Sequence, residues 1–267
     1  LGNSKYRKVY KGDCRVYLIK KMENNKLIER VNNELKTRGL LDKLMELDPI
    51  FLAVTGSHSY GFPSKDSDLD IRGAYITPTR EFLGLKRYNP KKTFEYISED
   101  KVIDISLDEI GQYLELISNS NGNRVEWPNS IIIHSTQEFD KLKDLVNHSG
   151  ISKKLYWHYL KFGQDMFSGG KRKIQTVRTD LYALRAYMTG ITLLKTGKID
   201  RDITMLNRDF NIEIIKRMIQ DKKEAETTES ISYERRELPS AIERLEKELK
   251  ISLETSKLPD LPNTESI

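Results

Sequence analysis

The sequence predicts an α/β fold in which a small mixed sheet is followed by a helical domain. Two observations carry this. Short apolar, β-branched runs bounded by Gly, Pro, Ser and Asp lie before residue 136, and three-to-four apolar periodicity dominates after it. A chain of 267 residues accommodates one large domain or two modest ones sharing an interface.

Residues 4–20 are basic and carry a β-like piece, Arg15-Val16-Tyr17-Leu18-Ile19. Leu27, Ile28, Val31, Leu35, Leu40, Leu41 and Leu44 then recur at helical spacing, until Leu47-Asp48-Pro49 stops the helix. Phe51-Leu52-Ala53-Val54-Thr55 reads as a buried strand closed by Gly56-Ser57. A polar loop leads to a second strand, Asp68 to Ile76, which ends at Thr77-Pro78. In a third, Ile103, Ile105 and Leu107 alternate with Asp104 and Ser106. Helix resumes through Ile110, Tyr113, Leu114 and Ile117, and later helices are expected over 152–167, 176–196, 211–224 and 234–250. The two prolines and small polar residues of the last segment read as a flexible tail or a surface strap.

Composition narrows the classes. The net charge of +5 is compatible with a polyanionic partner but does not require one. A single cysteine, Cys14, excludes an intrachain disulfide and points to a reducing, cytoplasmic setting. His58, His134, His148 and His158 lack zinc-ligand spacing. No apolar run reaches the roughly 20 residues of a membrane helix, so no membrane partner is expected.

The chemistry concentrates in one constellation. Residues i and i+2 of a strand share a face, so Asp68 and Asp70 project side by side. Two carboxylates about 4 Å apart repel by roughly 4 kcal/mol at an effective dielectric near 20. Such a pair is tolerable where it is exposed, shares a proton or holds a cation, and hard oxygen ligands suit Mg2+. Asp104, on a neighbouring strand, would allow two metals ~3.5–4 Å apart. Gly56-Ser57 can aim backbone N–H groups and a hydroxyl at phosphate oxygens, since glycine permits close approach.

Gly56-Ser57-His58-Ser59-Tyr60-Gly61-Phe62, followed by Ser67-Asp68-Leu69-Asp70-Ile71-Arg72-Gly73, resembles the signature of the DNA polymerase β superfamily. The closer likeness is to RlaP-type (YcgL-like) nucleotidyltransferases associated with RNA repair. Asn121-Gly122-Asn123-Arg124-Val125-Glu126-Trp127-Pro128-Asn129-Ser130 is similar to the subgroup's Asn-Pro-x-x-x-Glu-Trp-Leu-x-Ser motif, with Gly122 in place of proline and Pro128 in place of leucine. Tyr182-Ala183-Leu184-Arg185 and Leu194-Lys195-Thr196-Gly197 resemble a helical segment of that subgroup and the turn after it.

The resemblance implies a nucleotidyltransferase core over residues 10–135, a helical domain over 136–250 that closes the cleft, and a flexible tail over 251–267. It implies that Asp68, Asp70 and Asp104 are catalytic and hold Mg2+ or Mn2+. Gly56 and Ser57 would meet the triphosphate, and Arg185 would lie in the helical half facing the cleft. Lys65 and Arg72 are close enough in sequence to touch phosphate. Arg178, Tyr182 and Arg185 fall on one helical stripe. Glu126-Trp127 reads as a packing and capping feature. The implied reaction is transfer of a nucleoside monophosphate from an NTP to an acceptor hydroxyl, with an RNA end as the leading acceptor. A protein hydroxyl, as in AMPylator-like enzymes, is the alternative. A non-catalytic nucleotide- or nucleic-acid-binding module is a third reading, and the oligomeric state stays open.

Overall fold

The computed structural model describes residues 11–65, 67–85, 89–97, 102–224 and 235–267. The chain separates into two compact units, Leu1–Leu47 and Asp48–Ile267. The boundary expected at residue 135 therefore falls inside the second unit.

The first unit holds α1 (Lys11–Thr37) and α2 (Leu40–Met45). Gly39 turns the chain between them at φ 64, a left-handed conformation that glycine adopts without a Cβ penalty. Of the periodic positions, Val31, Leu35, Leu40 and Leu44 are buried, and Leu27, Ile28 and Leu41 are partly so. The β-like piece at Arg15–Ile19 is helical, because a short β-branched run yields to the helix in which it is embedded. Residues 4–10 of that basic stretch lie outside the described residues.

The second unit opens with β1 (Pro49–Val54), whose proline occupies the first strand position, where no ladder donor is missed. There follow α3 (Gly56–Tyr60), β2 (Leu69–Tyr75), α4 (Thr79–Phe82), β3 (Lys91–Ile97) and β4 (Val102–Glu109). Then come α5 (Ile110–Ser118), α6 (Gly122–Glu126) and β5 (Ile131–Ser135). The five strands make one sheet in the order β3-β4-β2-β1-β5. β2 and β4 run parallel and the other pairs antiparallel, so the sheet is mixed, as expected. β1 is buried along its whole length. β3 and β5 add to the three strands that patterning predicts. β3 is an edge strand with Lys91 and Lys92 at its start, charges that discourage pairing with another chain.

The remaining helices are α7 (Glu138–Leu145), α8 (Leu155–Phe167), α9 (Val177–Thr196), α10 (Ile203–Phe210), α11 (Ile214–Glu224) and α12 (Leu238–Thr255). α9 is the hub: fourteen of its residues are buried, and Thr176 caps its start in a capping box with Thr179. The helix expected over 211–224 is α11, and α10 before it adds to the expected helices; the two are separated where Asn211 takes a left-handed conformation at φ 51. The Asn207 side chain satisfies both the N–H (2.8 Å) and the carbonyl (3.0 Å) of Ile212 at that corner.

The flexible tail expected over 251–267 takes the strap form instead. Its first residues complete α12. Beyond them, Lys153 N–H donates to the Pro259 carbonyl (2.8 Å) and Asn263 N–H to the Ser149 carbonyl (2.9 Å). Lys153 also pairs with Asp260 at 2.9 Å. Among the described residues, no helix is long and apolar enough to cross a membrane.

Candidate active site

β1 delivers the chain to its neighbour β2 and then turns sharply. Thr55 N–H donates to the Asp70 carbonyl at 2.8 Å, which ties the turn to β2. Gly56 follows at φ 61, and a Cβ there would collide with the Asp70 carboxylate, Oδ2 foremost. Both features demand glycine: the backbone is left-handed, and it lies directly against an acid.

Asp70 and Asp104 are register partners on parallel strands. Alternation sends Leu69, Ile71, Ile103 and Ile105 into the core and leaves the two aspartates together on the opposite face. Arg72 joins them. Its Nη2 donates to Asp70 Oδ1 (2.9 Å) and Asp104 Oδ2 (2.7 Å), while Nη1 donates to the carbonyls of Ile71 (2.9 Å) and Asp104 (2.8 Å). Asp70 thus bonds Arg72 through Oδ1, while its Oδ2 lies close against the Gly56 turn. Burial pushes its carboxyl above the ordinary carboxylate range; Asp104 and Asp68 push the same way, against Arg72 and Arg178.

Asp68 lies just before β2, half-buried. Ser57 is buried in the first turn of α3, and Lys65 is exposed in the loop between α3 and β2. Among the described residues, no three His, Cys, Asp or Glu side chains are grouped to hold one ion. Arg72 instead stands between two of the expected ligands, supplying the positive charge that the pair requires. The donors of Asp70 and Asp104 are carboxylate oxygens, the type a hard divalent cation takes, but Arg72 occupies the space between them.

Arg185 is not on an open face. Its side chain is 1% exposed, its Nη1 donates to Glu126 Oε1 at 2.7 Å, and its guanidinium lies 4.1 Å from the centre of the Tyr60 ring. The helical stripe divides by environment. Arg178, two turns nearer the start of α9, is exposed and lies 5.7 Å over the Tyr182 ring. Partial burial opposes its charge, yet Tyr182 and the carboxylates Asp68 and Asp70 hold its pKa above the ordinary value. Arg178 is therefore the α9 cation within electrostatic reach of the acids.

The 121–127 motif gains structural tasks throughout. Asn121 caps α6 by accepting from Arg124 N–H at 3.3 Å. Arg124 binds Asp108 through two nitrogens, at 2.8 and 3.3 Å, and its guanidinium sits 4.5 Å over Trp127. Trp127 stacks on Tyr113. Gly122, at the position where proline is usual, lies so close to His158 that a Cβ would strike the imidazole. Glu126 is an ion-pair partner and not a cap. A buried glutamate without a visible partner in sequence is hard to assign, because its arginine lies 59 residues away.

A glycine turn seated against strand-borne aspartates, on a mixed sheet backed by helices, defines a nucleotidyltransferase-type protein of the DNA polymerase β class. The chain belongs to the RlaP family, described as an RNA repair pathway DNA polymerase beta family, whose model matches residues 26–267. It is 31% identical over 158 residues to protein MJ0002 of Methanocaldococcus jannaschii, covering 58% of this chain and 64% of that protein. The match thus spans less than two thirds of the archaeal relative. Protein YcgL of Bacillus subtilis is 25% identical over 192 residues, covering 69% of this chain and 70% of that one. A nucleotidyltransferase-like protein from Exiguobacterium sibiricum covers 82% of this chain and 73% of its own at 13% identity. Its TM-score is 0.33, a likeness too loose to bear on function.

Proposed function

We propose that this protein transfers a nucleoside monophosphate from an NTP to the hydroxyl of an RNA end, releasing pyrophosphate, with Mg2+ or Mn2+ bound. The observation that carries the reading is Asp70, held between the Gly56 turn and Arg72 and in register with Asp104. Asp68, Asp70 and Asp104 would hold the metal, which supplies Lewis acidity to the phosphate oxygens. The Gly56-Ser57 turn would seat the triphosphate, because a glycine turn lets it approach the backbone closely. Arg178 and Lys65 would offset phosphate charge, with the arginine fork suited to two phosphate oxygens at once. Asp104, the more exposed partner of the pair, would stand nearest the attacking hydroxyl. The RNA acceptor is supported by the family's description.

The test is incubation with each NTP labelled at its α-phosphate, divalent metal, and either total RNA or a protein extract. Label is expected on RNA, and Asp70→Asn and Asp104→Asn should each slow transfer at least about a hundredfold, ~2.7 kcal/mol of lost transition-state stabilisation. Label on protein would replace RNA as the acceptor. Full activity in both variants would sink the assignment of the site.

A further inference from the structure

The segment between the Gly56 turn and Asp68 is held by cations from three separate helical regions. From α9, Arg185 lies against the face of Tyr60, with its charge met by Glu126. From the α9–α10 connection, Arg201 donates through Nε to Ser59 Oγ. From α11, Lys222, only 3% exposed, donates through Nζ to the Phe62 carbonyl at 2.9 Å. The same ammonium reaches Ser67 Oγ at 3.3 Å and Ser64 Oγ at 3.4 Å, and lies 5.4 Å over the Phe62 ring.

A fourth contact has no cation. Gly61 turns at φ 85 so closely against Asp202 that a Cβ would strike its carboxylate, while Asp202 caps α10 through Thr204 N–H at 2.9 Å. Arg185 and Lys222 are deeply buried and Arg201 partly so. Burying a positive charge is unfavourable unless it is well satisfied, so an apolar core would hold a loop at lower cost. Their convergence on one short segment gives that expense a function: charged hydrogen bonds fix direction as well as distance.

We infer that Arg185, Arg201 and Lys222 are positioning residues, which set the phosphate-seating turn and Asp68 relative to Asp70 from the helical side. The inference rests on the reading of that turn as the triphosphate seat. A shift of about 1 Å in such a seat can cost a hundredfold in rate. The helical regions are then a buttress for the catalytic loop. A hinge that moved them off the sheet would carry the loop with them.

The experiment joins hydrogen exchange, read peptide by peptide, to steady-state kinetics on the full chain. The variants are Lys222→Met, Lys222→Arg, Arg201→Met and Ser59→Ala; the last removes only the acceptor of Arg201. Lys222→Met and Ser59→Ala should raise exchange over residues 57–67 at least about tenfold while β4 keeps its protection. Their kcat should fall about tenfold or more with NTP KM changed less than about threefold, and Lys222→Arg should recover part of the loss. Wild-type exchange over 57–67 in Ser59→Ala and both Lys222 variants overturns the inference, as does a rise spread evenly over the whole chain. Exchange needs no turnover. If the wild-type protein transfers no nucleotide, the functional reading fails while the exchange result still decides the positioning.

Discussion

At the scale of single residues, the site depends on Gly56 having no side chain. Gly56→Ala places a methyl group into the Asp70 carboxylate and forces a left-handed backbone on a residue that resists it. A loss of about 1–3 kcal/mol of stability is expected, with transfer slowed at least about a hundredfold. Thermal unfolding and the α-label assay check it, and a wild-type rate would mean that the turn does not seat substrate. The sequence places Asp70 and Asp104 on neighbouring strands, but alternation pairs Asp70 with Asp68, whereas Asp68 lies outside β2 and parallel pairing sets Asp70 in register with Asp104. Arg185 was not legible. Helical spacing identifies residues on one stripe but says nothing of what lies opposite, and an arginine defaults to the surface unless its partner is known.

At the scale of elements, α8 and α9 approach through glycines. A Cβ on Gly163 would come within 2.5 Å of the Tyr187 ring, and one on Gly190 within 2.7 Å of Tyr159 Cβ. Gly163→Ala should therefore destabilise by about 1–3 kcal/mol through overpacking, measured by urea unfolding. Adding Tyr187→Leu should restore part of the loss; no recovery would place the strain elsewhere. The helical periodicity behind α8, α9 and α12 was read from the sequence to within a few residues. β3 and β5 were not, because each lies at a sheet edge. Along β3 every residue is at least partly exposed, so no buried face imposes a clean alternation.

At the scale of the whole molecule, the acid side of the stability curve should carry the mark of His158. Burial lowers its pKa from the ordinary 6.5, Glu126 acts in the opposite sense, and Arg185 adds to the lowering. The unfolded chain then binds the proton more readily than the folded one between the depressed value and 6.5. Stability is accordingly full above pH 6.5 and falls as pH drops through that window, by at most ~1.4 kcal/mol per pH unit for one proton. His158→Gln should flatten this decline in melting curves taken across the window. A variant that tracks the wild type at every pH would show that the imidazole titrates as it does in water. The split of the chain at residue 47 was the global feature least visible in sequence. The composition boundary near residue 136 marks where strands stop, yet contacts cross it freely, as the Glu126–Arg185 pair does.

The three cations gathered on the loop between Gly56 and Asp68 bear on how such a protein can be inherited. Ser59 and Arg201 stand 142 residues apart in the chain, and Phe62 and Lys222 stand 160 apart. A recombination event between two relatives with its crossover near residue 136 would separate every one of these partnerships at once. The sheet and its helices are thus expected to pass through evolution as one indivisible cassette, and chimeras joined there should misfold or fall silent unless both halves come from the same parent.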